Sequence, residues 1–274
     1  MFTDIHMHIG GAALGFNMTK EMVLEVFEKY GVSHALLSDC DGGECDSQQR
    51  LLPQELWVTQ EDSLRNTLEF ARNHPEKFSV AAWIRPRVQG ITEEFCRLVE
   101  DNLDIVRAIK IHPFASDVSP ADKRVAPYLE LAKKNNLFVI SHTGGCENAS
   151  CDNLYKAALM YPSVPFIMAH MGLGTDNSRA LDLMAKADNL FGDTAWVPAQ
   201  TVIEATRRFG GEKMFFGSDS PIDGVDTYRQ NPRGERSMYV DYFENLADKI
   251  GAAAYDKLMY KNARDILGVY PQGG

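Results

Sequence analysis

The chain has 274 residues, of which 45% are hydrophobic, and it carries 28 basic and 38 acidic side chains. A formal net charge of −10 argues against nucleic acid or an anionic membrane as a partner, since both attract basic surfaces. No apolar run reaches the roughly 18 residues that a membrane span needs, and we expect no signal peptide before the first predicted strand. Five cysteines in a chain of this length are expected to be reduced thiols, which favours a cytoplasmic protein.

Short β-rich segments alternate with helical segments along the whole chain. The predicted strands cover residues 1–8, 34–38, 78–84, 106–112, 137–142, 165–170, 190–194 and 213–219. The helices between them begin near residues 19, 60, 92, 121, 153 and 178, a seventh ends at 209, and the chain is mostly helical after 235. This alternation indicates parallel strands with right-handed crossovers. Eight such units predict an α/β fold, a (β/α)8 TIM barrel that forms one domain over residues 1–274.

Histidines and an aspartate stand at the C-terminal ends of five predicted strands: His8, His112, His142, His170 and Asp219. In a parallel barrel these ends open onto one face, which carries the active site in barrel enzymes. On the first strand His6 and His8 project to the same side because side chains alternate with a period of two, and Asp4 is expected to join them. The group predicts a site for a divalent cation, since imidazole suits zinc, iron, nickel and copper.

Several short motifs, spread from the first strand to the C-terminus, form one pattern. They are Asp4-x-His6-x-His8, Ile109 to Pro113, His142 before Thr143-Gly144-Gly145, Ala169-His170 before Gly172, Gly217-Ser218-Asp219-Ser220-Pro221, and Asn262 to Gly268. The pattern resembles the amidohydrolase superfamily, and within it the amidohydrolase-related branch of metal-dependent hydrolases. That branch includes aminocarboxymuconate semialdehyde decarboxylase, resorcylate decarboxylases and pyrone-dicarboxylate lactonase.

The resemblance implies a site and a reaction. His6, His8, His142 and Asp219 would bind one divalent metal, expected to be Zn²⁺, and His170 would be the catalytic or substrate-polarising histidine. Zn²⁺ bound in this way lowers the pKa of a water, and Asp219 would carry its proton to the leaving group. We therefore expect a metal-dependent hydrolase that cleaves an ester, lactone or amide bond in a small, carboxylated substrate.

Two other functions stay open. One is non-oxidative, metal-dependent decarboxylation of an aromatic or muconate-type acid, and the other is a metal-binding barrel without catalysis. Whether the protein is a hydrolase or a decarboxylase, its expected partner is a small-molecule substrate. Because the relatives are commonly dimeric, the resemblance also implies a homodimer.

Two buried polar residues have alternative interpretations. Lys110 lies where two-metal members of the superfamily place a carbamylated lysine that bridges a second metal. The alternatives are a barrel-interior lysine paired with Asp219 or another carboxylate, or a lysine that contacts substrate. Asp4 either orients His6 or bonds to a neighbouring strand. His112 shares the face of Lys110 and is expected to contact substrate, with a role as an additional ligand as the alternative.

Three arginines near the expected mouth could bind a substrate carboxylate, because a guanidinium is a planar fork that suits this group. Arg85 and Arg87 follow the third strand, and Arg50 lies in the long loop after the second. Arg85 is the residue predicted for this role, and the alternative for each is a solvated surface arginine. Trp196 is expected to form an apolar wall of the pocket.

The loop from residue 40 to 57 is a candidate lid, since loops of this length in compact domains tend to be functional. It contains one of two Cys-x4-Cys pairs, which are Cys40 with Cys45 and Cys146 with Cys151. This is not a usual zinc-site spacing, so ordinary thiols are expected rather than a second metal or redox site.

Overall fold

The structure, a computed structural model, describes residues 2–269, and these form one barrel of eight parallel strands. The strands pair with their neighbours in chain order from the first to the eighth. They are β1 (Phe2–Ile9), β2 (Val32–Asp39), β3 (Phe78–Trp83), β4 (Val106–Ile111), β5 (Phe138–Gly144), β6 (Phe166–Leu173), β7 (Leu190–Asp193) and β8 (Met214–Phe215). The predicted (β/α)8 TIM barrel is confirmed.

Helices follow the strands and cover the outside of the barrel. They are α1 (Lys20–Tyr30), α2 (Gln60–Arg72), α3 (Glu93–Glu100), α4 (Pro113–Ser116), α5 (Ala126–Lys134), α6 (Cys151–Met160), α7 (Ser178–Met184), α8 (Ala199–Phe209), α9 (Tyr239–Glu244), α10 (Leu246–Ile250), α11 (Ala252–Asp256) and α12 (Asn262–Leu267). Thr19 caps α1 as predicted, because its side chain accepts a hydrogen bond from the Met22 backbone N–H. Within residues 2–269, no helix has both the length and the hydrophobicity to span a membrane.

Two predicted elements are shorter in the structure. The helix expected from residue 121 begins at Ala126, because hydrogen-bonded turns occupy residues 119–125. The strand expected over 213–219 keeps ladder geometry only at Met214 and Phe215. Beyond it, the Gly217 N–H and C=O both bond to the Thr194 hydroxyl, at 2.9 and 2.8 Å, so a side chain replaces the neighbouring strand.

Backbone hydrogen bonds between β1 and the end of β8 close the barrel. Ile5 N donates to Phe216 O at 3.0 Å, and His8 N donates to Ser220 O at 2.9 Å. Between them, Asp219 N donates to His6 O at 2.7 Å. The closure therefore fixes the backbone of Asp219 directly beside that of His6, although 213 positions separate them in the sequence.

The apolar core has an inner and an outer layer. The inner layer fills the lower part of the barrel with residues from alternate strand positions, such as Leu36, Ala108 and Ile140, and α12 packs against it. The outer, larger layer lies between the strands and the surrounding helices. Because the inner layer is apolar only in its lower part, the next inward positions toward the C-terminal ends are free to carry polar side chains.

A β-bulge in β1 changes which side chains enter the barrel. The pairing with β2 shifts register between Asp4 and Met7. Ile5 packs in the inner layer, whereas Met7 packs in the outer one. Asp4 instead accepts a hydrogen bond from Tyr228, whose ring packs in the outer layer. The expectation that Asp4 shares the side of His6 and His8 is therefore wrong, because strict alternation does not survive the bulge.

Candidate metal centre

Six aromatic side chains form a closed circuit at the C-terminal end of the barrel. The successive ring centroids are 4.9, 6.1, 5.0, 4.2, 4.7 and 5.1 Å apart around the series His6, His8, Trp83, His112, His142, His170 and back to His6. All five histidines that the sequence assigned to this face are in the circuit. The structure thus gathers residues from β1, β3, β5 and β6 and from the end of β4 around one space.

Backbone conformation decides how two of these side chains enter the circuit. On β4, Lys110 and His112 follow the inward Ala108 at intervals of two, as regular alternation requires. On β6, however, Ala169 packs inward, so alternation would turn His170 outward. Positive φ angles of 70° at His170 and 50° at Met171 break the pattern. This left-handed conformation is costly outside glycine, and here it brings the His170 imidazole into the site.

Asp219 lies against the first two histidines of the circuit. Its Oδ1 is 3.1 Å from His8 Nε2 and 3.4 Å from His6 Nε2. Its Oδ2 accepts a hydrogen bond from the indole Nε1 of Trp196 at 3.0 Å. One ligand atom from each of His6, His170 and Asp219 lies within 4.8 Å of the other two. This spacing is compatible with one small cation between them.

The hydrogen bonds of the imidazoles fix which nitrogen keeps a lone pair. Nδ1 of His6 lies 2.7 Å from Asp193 Oδ2, and Nδ1 of His170 lies 3.1 Å from Ala195 O. Carboxylates and carbonyls only accept hydrogen bonds, so both rings carry their hydrogen on Nδ1. Their Nε2 is bare, which here means that it carries a lone pair and no hydrogen. For His142 the bond runs from Nε2 to Gly144 O at 3.2 Å, which leaves Nδ1 bare.

His8 resembles His6, since its Nδ1 is the nitrogen that is hydrogen-bonded to the protein. Its Nδ1 lies 2.9 Å from the Ser38 hydroxyl and 3.4 Å from the Ser38 carbonyl, which leaves Nε2 toward Asp219. Burial, and then the charge of Lys110, lower the pKa of both His6 and His8. Burial also lowers the pKa of His170 to about 4. The imidazoles are thus neutral near pH 7, the state that binds metals.

Lys110 lies under the circuit and is almost fully buried. Its Nζ donates to His6 Nε2 at 2.8 Å, and burial lowers the pKa of this lysine. Among the described residues it has no carboxylate within ion-pair distance, so the expected pairing with Asp219 is not seen. Lys110 therefore occupies the lone pair that His6 would offer to a cation.

Two hydrogen-bond partners of the site were not predicted from the sequence. Asp193 ends β7 and joins two histidines, since Oδ2 binds His6 Nδ1 while Oδ1 accepts from the His170 backbone N–H at 2.8 Å. Ser38 near the end of β2 holds His8. Both stand at C-terminal strand ends, the same signal that identified the histidines. Such partners orient a metal-binding imidazole and fix its tautomer.

Asp4 bonds mainly to the end of β8. Its carboxylate accepts from the Ser218 N–H at 3.1 Å, from the Ser218 hydroxyl, and from Tyr228 Oη at 2.8 Å. It contacts His6 only through the His6 backbone N–H, at 2.9 Å. Of its two interpretations, the geometry favours a buried link between strands.

A cavity of about 420 Å³ opens above the circuit. Its polar floor is formed by His8, His112, His142, His170 and Asp219, and its walls are mostly apolar. The walls are formed by the larger side chains Leu14, Phe16, Met18, Trp83, Phe114, Leu173, Trp196 and Ile222, together with smaller residues of the adjacent loops. No arginine or lysine is found among the described residues that line it. The cavity thus suits a small molecule with one polar end and an apolar body.

The three candidate arginines do not line this cavity. Arg85 is 2% exposed, donates from Nη1 to Val58 O and lies 5.5 Å from the Trp57 ring. It is turned away because the backbone after β3 bonds to α2, where Arg85 N donates to Gln60 Oε1. Arg87 pairs with Asp117 at 3.0 Å, and Arg50 pairs with Asp46 on the surface. The structure therefore does not bring Arg85 to the predicted substrate site.

The long loop after β2 forms one side of the cavity. Cys45, Asp46 and Ser47 line it, and the N–H groups of Glu44 and Cys45 both donate to Ala115 O, at 2.9 and 2.7 Å. The candidate lid is thus hydrogen-bonded to the chain after β4. All five cysteines are free thiols, as expected.

Comparison with known proteins agrees with this geometry. A family model described as amidohydrolase matches residues 55–269, which is most of the chain. The chain belongs to the amidohydrolase family. It is therefore an enzyme, and the family depends on metals. No curated protein matches the sequence.

Solved structures show the same fold over nearly the full length. A dihydroxybenzoic acid decarboxylase from Polaromonas with bound manganese is 15% identical, with a TM-score of 0.68 and coverage of 98% of this chain and 97% of that one. A 4-oxalomesaconate hydratase from Rhodopseudomonas palustris is 16% identical, with a TM-score of 0.68 and coverage of 98% of this chain and 96% of that one. A probable 2-pyrone-4,6-dicarboxylic acid hydrolase from Acinetobacter baumannii is 12% identical, with a TM-score of 0.64 and coverage of 98% of this chain and 99% of that one. At these low sequence identities, the similarity shows a shared fold and nothing further.

Proposed function

We propose that this amidohydrolase-family enzyme is a hydrolase that uses one divalent metal to cleave an ester, lactone or amide bond in a small substrate. The observation that carries the proposal is the Asp219 carboxylate, whose Oδ1 faces two neutral imidazoles while Oδ2 is held by Trp196. Such a carboxylate can accept a proton at the place where the apolar cavity meets its polar floor.

The donor set fits a metal. His6 and His8 present Nε2 atoms without a hydrogen beside Asp219, although that of His6 accepts a hydrogen bond from Lys110 Nζ, which a cation would displace. Each ring is held from behind by a hydrogen bond on Nδ1. Three nitrogens with one carboxylate are a usual set for Zn²⁺, so we propose zinc with His6, His8, His142 and Asp219 as ligands. A cation there would polarise a carbonyl and lower the pKa of a water. His142 contributes Nδ1, the nitrogen that its bond to Gly144 leaves bare.

The side chains would divide the work of hydrolysis. Oδ1 of Asp219 accepts the proton of the attacking water and later passes it to the leaving group. His170 presents an Nε2 without a hydrogen within the same cluster, and it would orient the attacking water by accepting a hydrogen bond from it. The apolar walls exclude bulk water from this floor, which strengthens each electrostatic interaction. A carboxylate on the substrate would have to lie at the polar floor, since no cationic side chain among the described residues lines the walls.

Metal measurements on variants test the ligand set. In His142→Asn the metal content at fixed free zinc should fall, whereas in His170→Asn the metal should remain and turnover should drop. His170 lies in the compact cluster with His6 and Asp219, so the reverse result would make His170 the fourth ligand. Asp219→Asn with full activity would contradict the proposal.

Decarboxylation is the second candidate, and the aromatic side chains of the cavity favour it. Trp83, Phe114 and Trp196 form walls against which a planar ring could stack. In that reaction the polar floor would hold a carboxylate and a neighbouring oxygen of an aromatic acid. Assays of proton release and CO₂ release over aryl esters, lactones and hydroxybenzoic acids separate the two reactions. Proton release without CO₂ supports the hydrolase, and CO₂ release overturns it.

A further inference from the structure

We infer that His112 is a fixed hydrogen-bond donor that binds an oxygen atom of the substrate from the side of the cavity opposite His6. The inference rests on the proposed function, because it assigns a contact within the same site. His112 is three rings away from His6 in either direction around the aromatic circuit. It lines the cavity.

The tautomer of His112 is the reverse of that of His6 and His170. Nδ1 of His112 accepts a hydrogen bond from the Ala115 backbone N–H at 3.1 Å. A nitrogen that faces an N–H donor needs a lone pair, because two N–H groups would repel each other. The ring hydrogen of His112 is therefore on Nε2. His6, His142 and His170 each leave one bare nitrogen, whereas His112 leaves an N–H.

Packing prevents the ring from turning to the other orientation. It stacks on His142 with centroids 4.2 Å apart and an angle of 17°, and on Trp83 at 5.0 Å and 22°. Its backbone is held as well, since the Ser116 hydroxyl donates to His112 O at 3.1 Å. The imidazole is thus a flat plate between two others, anchored at Nδ1.

The Nε2–H of His112 has no hydrogen-bond acceptor in the part of the chain that the structure describes. A polar N–H at a mostly apolar cavity needs an acceptor, and the space before it is where a ligand lies. An N–H binds a carbonyl, carboxylate or ester oxygen, and it does not bind a cation. This excludes Nε2 of His112 as a metal ligand.

The site then holds a polar group from two sides. Bare nitrogens and Asp219 lie on the side of His6, and an oriented N–H lies on the side of His112. A substrate with two oxygen atoms at its polar end, such as an ester, a lactone or a carboxylic acid, fits this division. Because the donor does not move, it costs no reorganisation when charge develops on that oxygen.

Histidine tautomers can be read directly by NMR. In the metal-free protein labelled with ¹⁵N-histidine, two-bond ¹H–¹⁵N spectra distinguish the seven rings, with each assigned by substitution. We expect the Nε2–H form for His112 and the Nδ1–H form for His6 and His170. An Nδ1–H signal for His112 would overturn the inference without any measurement of activity.

Three variants separate the features of the ring. His112→Phe keeps the stack and removes both nitrogens, His112→Asn keeps an acceptor near Nδ1, and His112→Gln places an amide N–H near Nε2. With benzoate as the probe, His112→Phe and His112→Asn should raise the Kd of the zinc-loaded protein roughly 10-fold, and His112→Gln should restore part of the loss. His74→Phe, outside the site, is the matched control.

The metal content and the folding of each variant complete the test. Zinc content should remain at the wild-type value in His112→Phe, and loss of zinc would make His112 a ligand and overturn the inference. A benzoate Kd that does not differ between wild type and His112→Phe would overturn it too. If benzoate binding follows the predicted order while no substrate is hydrolysed, the proposed function fails and the donor role of His112 stands.

Discussion

The indole Nε1 of Trp196 donates a hydrogen bond to Oδ2 of Asp219 at 3.0 Å. This bond fixes the rotation of the carboxylate, so that Oδ1 faces His8 and His6. Both Trp196 and Asp219 have positive φ angles, 60° and 65°. Left-handed backbone at such residues costs roughly 1–3 kcal/mol each, and it tends to be kept at functional sites. The pair is thus a strained arrangement that aims one oxygen of Asp219 at the candidate metal site.

Replacing Trp196 by phenylalanine should lower kcat roughly 10- to 100-fold and change KM little, because the aromatic wall stays while the donor to a charged acceptor is lost. Steady-state kinetics and zinc content give the measurement. Trp57→Phe is the matched control, since the Trp57 indole donates to Leu52 O away from the cavity. If kcat falls and KM rises together in Trp196→Phe, or if neither changes, the indole does not position Asp219.

Replacing Asp193 by asparagine should weaken zinc binding roughly 10- to 100-fold. Both oxygens of Asp193 accept hydrogen bonds, one from His6 Nδ1 and the other from backbone N–H groups. An amide offers only one acceptor, so its NH₂ group would face His6 Nδ1 and move the ring hydrogen to Nε2. Zinc Kd is measured by competition with a chromophoric chelator. Asp188→Asn on the surface beside the same strand is the control, and equal Kd values for the two variants would count against the role of Asp193.

The sequence was sufficient for the barrel and for bringing five histidines and Asp219 to one end of it. Strand ends can be located from apolar runs, and parallel topology brings all of them to one face, so distant residues such as His142 and Asp219 could be assigned together. Regular alternation also placed Lys110 and His112 on one side of β4. These predictions succeed because they depend on topology and on a period of two.

Predictions failed where the backbone leaves regular geometry. The bulge in β1 turns Asp4 away from His6, and positive φ at His170 reverses the alternation of β6. Arg85 was expected at the mouth, but two residues past the end of β3 the chain follows α2. Such departures depend on long-range hydrogen bonds, which no local pattern reports. The Asp193–His6 bond was missed for the same reason.

Replacing Lys110 by methionine should tighten zinc binding roughly 10- to 100-fold while the protein keeps one zinc per chain. In the structure Lys110 Nζ donates to His6 Nε2, so it competes with a cation for that lone pair. Zinc stoichiometry and Kd are measured with and without bicarbonate. Two metals per chain in the wild type, reduced in the variant, would instead assign Lys110 as a carbamylated bridge. Lys213→Met, which removes a lysine bonded to two carbonyls elsewhere, is the control.

Replacing Glu44 by glutamine should change how stability depends on pH. Burial raises the pKa of the Glu44 carboxyl from 4.5 to about 7, despite hydrogen bonds from the Val88 and Arg87 N–H groups and the nearby charges of Arg85 and Arg87. The folded state therefore binds a proton more tightly than the unfolded state. The free energy of unfolding contributed by Glu44 is complete below about pH 4.5 and is lost as pH rises through 7.

Glutamine keeps an acceptor for the two N–H groups and cannot ionise, so the variant should avoid that loss. Compared with the wild type, Glu44→Gln should have similar stability at pH 5 and should be more stable by about 2–3 kcal/mol at pH 8. Urea unfolding of the metal-free protein at pH 5, 6, 7 and 8 gives the difference directly. Glu55→Gln, at an exposed site of the same loop, is the matched control. A stability difference between Glu44→Gln and wild type that does not change from pH 5 to pH 8 would contradict a raised pKa for Glu44.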